Sequence, residues 1–217
     1  MCESEAACES VRPGINDPFT DAFQSVDVFL GKFEVPDREI FVEHGQLVEI
    51  AKIPVGSTVA DIGCGTGLFM AGLHRAVGPQ GTLYCLETAE KFIPYLQEKN
   101  ARLPEPTGNV HVLLSGHKTI PLPNDSVDLI VMVDTYHHIE YPSPFLTECA
   151  RVLKAGGQCF VVDFEKIEGV SSEFVQQHVR ASKEIAFQEW QAGGFDAVEV
   201  KDHPLKENWI ARFFVKK

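Results

Sequence analysis

Three glycines at alternate positions form the most chemically suggestive pattern in the chain. A short apolar run ends near Asp61, and Gly63, Gly65 and Gly67 follow it. Glycine lacks a Cβ and readily adopts positive φ, so the main chain of such a loop can approach a ligand closely. The helical periodicity that follows directs free N–H groups and a positive dipole end at the same place. The pattern therefore predicts a binding site for a small polar or charged molecule.

A carboxylate beyond the glycines narrows the kind of ligand. Glu87 ends the second predicted strand, about 20 residues past the glycine loop, where a carboxylate can accept hydrogen bonds from ribose hydroxyls. A dinucleotide-binding loop needs a small residue at the position that Leu68 occupies here. Asp61 would repel a pyrophosphate, whereas it suits a cationic amine or sulfonium. The pattern therefore favours a nucleoside that carries positive charge.

A second polar group follows the fourth predicted strand and can supply a base. It contains Asp134, Tyr136, His137 and His138. Histidine is the side chain best suited to proton transfer near neutral pH, although adjacent residues on one loop cannot all face a ligand. Two interpretations stay open: one of His137, Tyr136 and His138 is catalytic, or Tyr136 lines the pocket wall and His138 packs against the next helix. For His178, substrate contact and a place on a solvated helix face are both open.

Predicted strands and helices alternate along the chain and must bring these groups together. The strands cover residues 58–62, 82–86, 110–114, 127–134, 158–164, 197–200 and 209–215, and the helices cover 68–77, 88–103, 143–154 and 172–193. Pro94 should kink or interrupt the second of these helices. The alternation predicts an α/β fold, a mostly parallel sheet with helices on both faces and an antiparallel last strand. Ligands of such sheets lie beyond the carboxyl ends of the strands.

The N-terminal part of the chain precedes this alternating pattern. Residues 1–18 are poor in apolar side chains, which predicts a disordered leader. Residues 19–52 predict amphipathic helices, of which the first stretch, 19–33, is rich in phenylalanine. That stretch either packs on the core or closes over a pocket as a lid. We expect a single domain over residues 19–217, with its α/β core at 58–217.

The composition disfavours several classes of partner and site. Asp and Glu (31) outnumber Lys and Arg (19), and the resulting charge of -12 disfavours nucleic acids and anionic membranes. The chain contains neither a membrane-spanning apolar run nor a signal-peptide pattern, so we expect a cytoplasmic protein. The six cysteines are scattered, and no stretch has metal-ligand spacing, so no metal site is predicted.

Four stretches of the sequence together resemble one enzyme family. They are VADIGCGTG at residues 59–67, Glu87, IPLPNDSVD at 120–128, and the segment from HHI at 137–139 to ARVLKAGG at 150–157. In order and spacing they are similar to the motifs of class I S-adenosylmethionine-dependent methyltransferases. The resemblance extends over residues 58–165, and Ala155 stands where the family commonly has proline.

The resemblance implies a seven-stranded sheet and S-adenosylmethionine as the cofactor. It places the methionine part of the cofactor on the glycine loop and the ribose on Glu87. Gly116 stands where many members have an acidic residue for the adenine amine, so adenine contacts are expected from backbone groups or from His117. The cofactor-binding residues expected on this basis are Asp61, Gly63, Cys64, Gly65, Thr66, Gly67, Glu87, Thr88, Gly116, His117 and Asp134.

The resemblance also predicts an enzyme that methylates a small-molecule acceptor. Methyl transfer from a sulfonium is an in-line displacement with a good leaving group, so the protein mainly positions the nucleophile and, where needed, removes its proton. The acidic charge favours a small acceptor over a nucleic acid. The alternative is a methyltransferase-like module that binds the cofactor or a partner without catalysis, because fold does not determine function.

Overall fold

Seven strands form one sheet in a computed structural model of the chain, which describes residues 9–104 and 109–216. The strands are β1 Thr58–Ile62, β2 Thr82–Glu87, β3 Asn109–Leu114, β4 Val127–Val133, β5 Leu153–Phe164, β6 Phe195–Glu199 and β7 Asn208–Val215. Their order across the sheet is β3-β2-β1-β4-β5-β7-β6. Strands β1 to β5 run parallel to one another, and β7 is antiparallel to both of its neighbours, β5 and β6. The predicted mostly parallel sheet with a reversed last strand is confirmed.

The strand order reverses between β1 and β4, which lie side by side at the centre of the sheet. Asp61, near the carboxyl end of β1, pairs with Cys85 of β2 on one side and Val131 of β4 on the other. A crevice opens outside the carboxyl ends of parallel strands at such a reversal. The glycine loop after β1 and the polar residues after β4 therefore border the same crevice.

Helices cover both faces of the sheet and bury two apolar clusters. The helices are α1 Asp17–Thr20, α2 Val26–Phe33, α3 Glu39–Ala51, α4 Met70–Val77, α5 Phe92–Ala101, α6 Pro142–Val152, α7 Glu173–His178 and α8 Lys183–Ala192, with a 3₁₀ turn at Tyr136–His138. Side chains of α2 to α5 pack on one face, and those of α6 and α8 pack on the other. Pro94 is the third residue of α5, where its missing N–H has no helical acceptor, so the predicted interruption was wrong.

The late helical stretch, predicted as one helix over residues 172–193, is two helices. The side chain of Ser172 caps α7 by accepting from Val175 N, and that of Ser182 caps α8 by accepting from Ile185 N. Between the helices Val179 is almost fully buried, because the chain turns inward there. The break places His178 at the end of a short helix and directs it toward the 3₁₀ turn.

The N-terminal segment differs from the predicted disordered leader over residues 9–18. Ile15 is buried, Val11 N donates to Glu140 O at 2.8 Å, and the Asn16 amide donates to His138 O at 3.0 Å. These backbone and side-chain pairs tie the segment to the residues after β4, which its low apolar content did not reveal. Residues 1–8 of the predicted leader lie outside the described residues. Within the two described ranges, no helix has the length and apolar character needed to cross a membrane.

Candidate active site

The three glycines of the loop differ in how closely the protein surrounds them. Gly63, Gly65 and Gly67 all have positive φ, at 72°, 52° and 69°. A Cβ on Gly63 would collide with Thr135, and one on Gly67 would lie 2.9 Å from the Leu96 side chain. A Cβ on Gly65 would meet only ordinary contacts, at 3.9 Å or more. Gly65 is therefore the glycine whose missing side chain leaves room for a ligand.

Glu87 joins the end of β2 to this loop. Its Oε2 accepts a hydrogen bond from Gly65 N at 2.9 Å, and its Oε1 accepts from Thr88 N at 2.8 Å and Ala89 N at 3.0 Å. The Thr88 hydroxyl also donates to Oε1, at 3.4 Å. Each oxygen of an ionised carboxylate offers about two acceptor positions, so Oε1 is fully engaged and Oε2 keeps about one position for a ribose hydroxyl. The carboxylate is thus held in place by the same backbone that borders the ligand space.

Asp61 is buried beneath the loop, and its environment favours a cationic ligand. Burial raises the pKa of Asp61 to about 7, and the negative charge of Glu87 adds to this effect. A positive charge brought close to the carboxylate would reverse part of that shift. The amine or sulfonium of a methionine-like group supplies such a charge.

The other predicted cofactor residues lie around the same edge of the sheet. Cys64 and Thr66 are buried within the loop, and a hydrogen bond with Cys85 together with burial raises the pKa of the Cys64 thiol. Gly116 and His117 are exposed in the loop after β3, where Ser115 N donates to Glu87 O at 2.8 Å. This loop lies next to Glu87, where the family resemblance places the adenine.

Asp134 is occupied by contacts within the protein. Its Oδ2 pairs with Arg38 Nη2 at 2.5 Å, and its Oδ1 accepts from Asn208 Nδ2 at 2.6 Å. Burial raises the pKa of Asp134, and the Arg38 guanidinium opposes that effect. These contacts fasten the segment before α3 and the start of β7 to the end of β4. No sequence pattern indicated that Arg38 pairs with Asp134, because the two residues are far apart in the chain.

Tyr136 points away from the crevice, toward α8. Its hydroxyl donates to Glu189 Oε2 at 2.8 Å, and both carboxylate oxygens of Glu189 also accept from Arg180. The Tyr136 ring lies 5.5 Å from that of Trp190. Burial raises the pKa of Tyr136 well above its usual value. These contacts fit the pocket-wall or packing interpretation of this residue and leave its hydroxyl engaged.

His137 is held by Asp163, a residue at the end of β5. The Asp163 carboxylate accepts from His137 N at 2.7 Å and lies 2.6 Å from His137 Nδ1. A carboxylate can only accept, so Nδ1 carries the proton of the neutral ring and Nε2 carries the lone pair. Both side chains are 3% exposed. The pair therefore fixes an imidazole whose free nitrogen is a base.

His137 of this pair also belongs to a cluster of three imidazoles. His138 follows His137 in the 3₁₀ turn, His178 comes from α7, and each offers a nitrogen within 4.8 Å of a nitrogen of the other two. His138 Nε2 and His178 Nε2 are 3.2 Å apart. Burial lowers the pKa of His138 to about 2 and that of His178 to about 4, and the neighbouring His137 adds to both shifts. Sequence spacing could not reveal the cluster, because His178 is distant in the chain.

The N-terminal phenylalanines cover both the loop and the histidines. Phe19 packs edge-on against His138 with ring centroids 5.0 Å apart, and it stacks on Phe29 at the same distance. Phe33 Cε2 is the atom that a Cβ on Gly65 would meet at 3.9 Å. Lys91, at the start of α5, holds this cover by donating to the carbonyls of Asp21 and Gln24, each at 3.0 Å. The cover therefore spans the crevice from the glycine loop to the histidine cluster.

Comparison with known proteins identifies the family of this fold and loop. The family described as a methyltransferase domain matches residues 60–161, which run from β1 to β5. A crystal structure of a SAM-dependent methyltransferase from Aquifex aeolicus superposes with a TM-score of 0.75 at 26% identity, covering 86% of this chain and 96% of that one. Both findings support a class I S-adenosylmethionine-dependent methyltransferase. S-adenosylmethionine is accordingly the cofactor of this methyltransferase.

Two further relatives are similar in sequence to different extents of the chain. The uncharacterized methyltransferase YcgJ of Bacillus subtilis is 28% identical to this methyltransferase over 199 residues, covering 81% of this chain and 74% of that protein. The ubiquinone/menaquinone biosynthesis C-methyltransferase UbiE of Vibrio campbellii is 31% identical over 111 residues. The chain spans 42% of the length of that second relative. The likeness to UbiE is therefore to part of that enzyme.

Proposed function

We propose that this methyltransferase transfers the methyl group of S-adenosylmethionine to a small-molecule acceptor bound between the glycine loop and the histidine cluster. The observation that carries the proposal is the buried pair of His137 and Asp163 at the carboxyl end of the sheet. It presents a free imidazole nitrogen beside His138, against which Phe19 packs. In this assignment the cofactor lies along Gly65 and Glu87, and its methyl group faces the 3₁₀ turn.

His137 is the residue that we assign to proton removal. Asp163 holds its ring in one tautomer and stabilises the imidazolium that forms when Nε2 takes a proton. S-adenosylmethionine held by Gly65 and Glu87 would supply an electrophilic methyl group and a neutral thioether as leaving group, and His137 Nε2 would hold the proton that the acceptor loses. His138 Nδ1 is buried and lacks a hydrogen-bond partner among the described residues, so it can bind a polar group of the acceptor.

The enclosure of the site supports a small acceptor. Phe19 and Phe33 lie over the histidines and over Gly65, so a bulky polymer would have to displace them. The net charge of -12 also disfavours a nucleic acid. UbiE is named for C-methylation in quinone biosynthesis, and a ring acceptor of that kind would suit the aromatic cover.

A substrate screen with the full chain tests the proposal. Quinols and phenols, thiols, amines and carboxylates would each be incubated with S-adenosylmethionine, and the release of S-adenosylhomocysteine would be measured. We expect turnover with at least one small-molecule class and its loss in His137→Gln. Methylation confined to protein or nucleic-acid acceptors would refute the proposal, as would undiminished turnover by the His137→Gln protein.

A further inference from the structure

We propose that His137, His138 and His178 form a binding site for one divalent transition-metal ion of the zinc class. The cluster joins two neighbours in the 3₁₀ turn to the last residue of α7. The inference goes beyond the proposed function, because ion binding is measured without cofactor or acceptor. Only its consequence for the acceptor rests on that function.

The nitrogen positions suit a shared ion. In a tetrahedral site with metal–nitrogen bonds of about 2.0–2.1 Å, two ligand nitrogens are about 3.3 Å apart. His138 Nε2 and His178 Nε2 are 3.2 Å apart, and the nitrogens of all three rings lie within 4.8 Å of one another. His178 is half-buried, so its side chain has room to adjust when an ion binds. Three protein ligands would leave a fourth position open.

Asp163 supplies the outer contact that histidine ligands usually have. Metal-binding histidines donate their second N–H to a carboxylate, which fixes the tautomer and strengthens the ligand. His137 Nδ1 lies 2.6 Å from Asp163 Oδ1, and both side chains are buried. The lone pair on His137 Nε2 is thus fixed in place. The negative charge of Asp163 also favours a cation at the cluster.

Aromatic rings surround the cluster, and one cation opposes it. Phe19 packs edge-on against His138, and Phe174 stacks on His178 with ring centroids 4.8 Å apart. Phe19, which is partly buried, limits the access of solvent on the His138 side, whereas the exposed Phe174 leaves the His178 side open to an entering ion. Arg12, which donates to the carbonyl of Gln177, repels positive charge at the histidines. Its repulsion also makes the electrostatic part of the proposal testable.

The ion would change how the acceptor is held. In the zinc-loaded protein His137 Nε2 would be a ligand, so it would not act as the base that we assign to it in the metal-free protein. The open coordination position would then meet the acceptor. That position suits an oxygen, nitrogen or sulfur donor that loses its proton to water on binding. The acceptor class would then be a small molecule with a metal-binding heteroatom, such as a phenol or enediol.

Titration of metal-stripped, tag-free protein with zinc chloride, followed by calorimetry, tests the site directly. We expect one zinc ion per chain and, with cobalt(II), the strong visible absorption of a tetrahedral complex. His178→Gln should weaken zinc binding by at least about 100-fold, and Asp163→Asn by about 10–100-fold. Arg12→Gln should strengthen it at low salt, because it removes an opposing charge.

The controls separate this site from other ligands. His111→Gln changes an exposed histidine on β3 and should leave zinc binding unchanged. A Cys2→Ser/Cys8→Ser protein tests for binding by the N-terminal thiols. Absence of binding at micromolar zinc, equal binding by His178→Gln, or loss of binding only in the cysteine variant would each overturn the metal site. Methyl transfer by a protein that does not bind zinc would overturn the metal site and leave the proposed function standing. Zinc binding by a protein that shows no methyl transfer would overturn the proposed function and leave the metal site standing.

Discussion

Gly65 donates its backbone N–H to Glu87 Oε2 at 2.9 Å, which couples the cofactor loop to the end of β2. The bond orients both groups toward the space that we assign to the cofactor, with the backbone assigned to its methionine part and the carboxylate to its ribose. Gly65 is also the loop glycine that has room for a Cβ within the protein. A side chain at this position would therefore act on the ligand more than on the fold.

Gly65→Ala is expected to weaken S-adenosylmethionine binding about tenfold or more, because overpacking by one methyl group costs about 1–3 kcal/mol. Gly65→Val should abolish binding at micromolar cofactor. Calorimetry measures both affinities. Gly56→Ala is the matched control, since Gly56 also has positive φ and open space around its Cβ position. Both alanine variants should lose similar stability. An equal loss of affinity in both would show that the cofactor lies elsewhere.

Cofactor affinity should depend on the ionisation of Asp61. Because its folded-state pKa is about 7, a cationic ligand must bind at the expense of a proton below that pH. As the pH is raised toward about 7, the affinity for S-adenosylmethionine should increase by up to about tenfold per pH unit, and above about pH 7 it should stay constant. In Asp61→Asn this dependence should vanish. A wild-type affinity that does not change between about pH 5.5 and about pH 7 would contradict the assignment of Asp61 to the cationic part of the cofactor.

The same carboxyl group makes a stability prediction for the protein without cofactor. Because the folded-state pKa lies above the ordinary value of 3.8, the folded state keeps a proton that the unfolded state has lost. The contribution of Asp61 to the free energy of unfolding therefore falls as pH rises from about 4 to 7 and is constant above. Denaturation of wild type and Asp61→Asn across this range should show a steeper fall in wild type, because the raised pKa of Asp134 contributes equally to both proteins. Parallel pH profiles would contradict it.

Asp134 should act on stability rather than on cofactor affinity. Asp134→Asn removes the charged partner of Arg38 from a buried position, and we expect a loss of about 1–3 kcal/mol in the free energy of unfolding. Cofactor affinity should change by only a few-fold. Glu199→Gln, which weakens a more exposed pair with Lys183, should cost less than about 1 kcal/mol. A selective loss of cofactor binding in Asp134→Asn would restore the role that the family resemblance implied.

Substitutions of two adjacent residues of the 3₁₀ turn, Tyr136 and His137, should have very different effects on turnover. Tyr136→Phe removes the hydrogen bond to Glu189, so it should cost about 1 kcal/mol of stability and leave methyl transfer within a few-fold of wild type. His137→Gln should lower methyl transfer by about 10²–10⁴-fold at unchanged cofactor affinity. The two rates would be measured with an acceptor found in the screen. A larger loss in Tyr136→Phe than in His137→Gln would reverse these roles.

Local patterns predicted the sheet and the cofactor loop, whereas the acceptor side depends on long-range contacts. β1 matches its predicted range of residues 58–62, because an apolar run bounded by a turn and a glycine loop is a local signal. The direction of Tyr136 and His137 depends on the rotation of a single 3₁₀ turn, which no periodicity encodes. His178 meets that turn only because the late helix breaks at Val179, where serine caps outweigh helical continuity.

A crystal structure of the protein with S-adenosylmethionine bound tests the central claim most directly. The account predicts the ribose hydroxyls on the Glu87 carboxylate, the methionine part against Gly65, and the sulfonium methyl group directed at the imidazoles of His137 and His138 under Phe19. A cofactor bound away from Glu87, or one whose methyl group points away from the histidines, would contradict it.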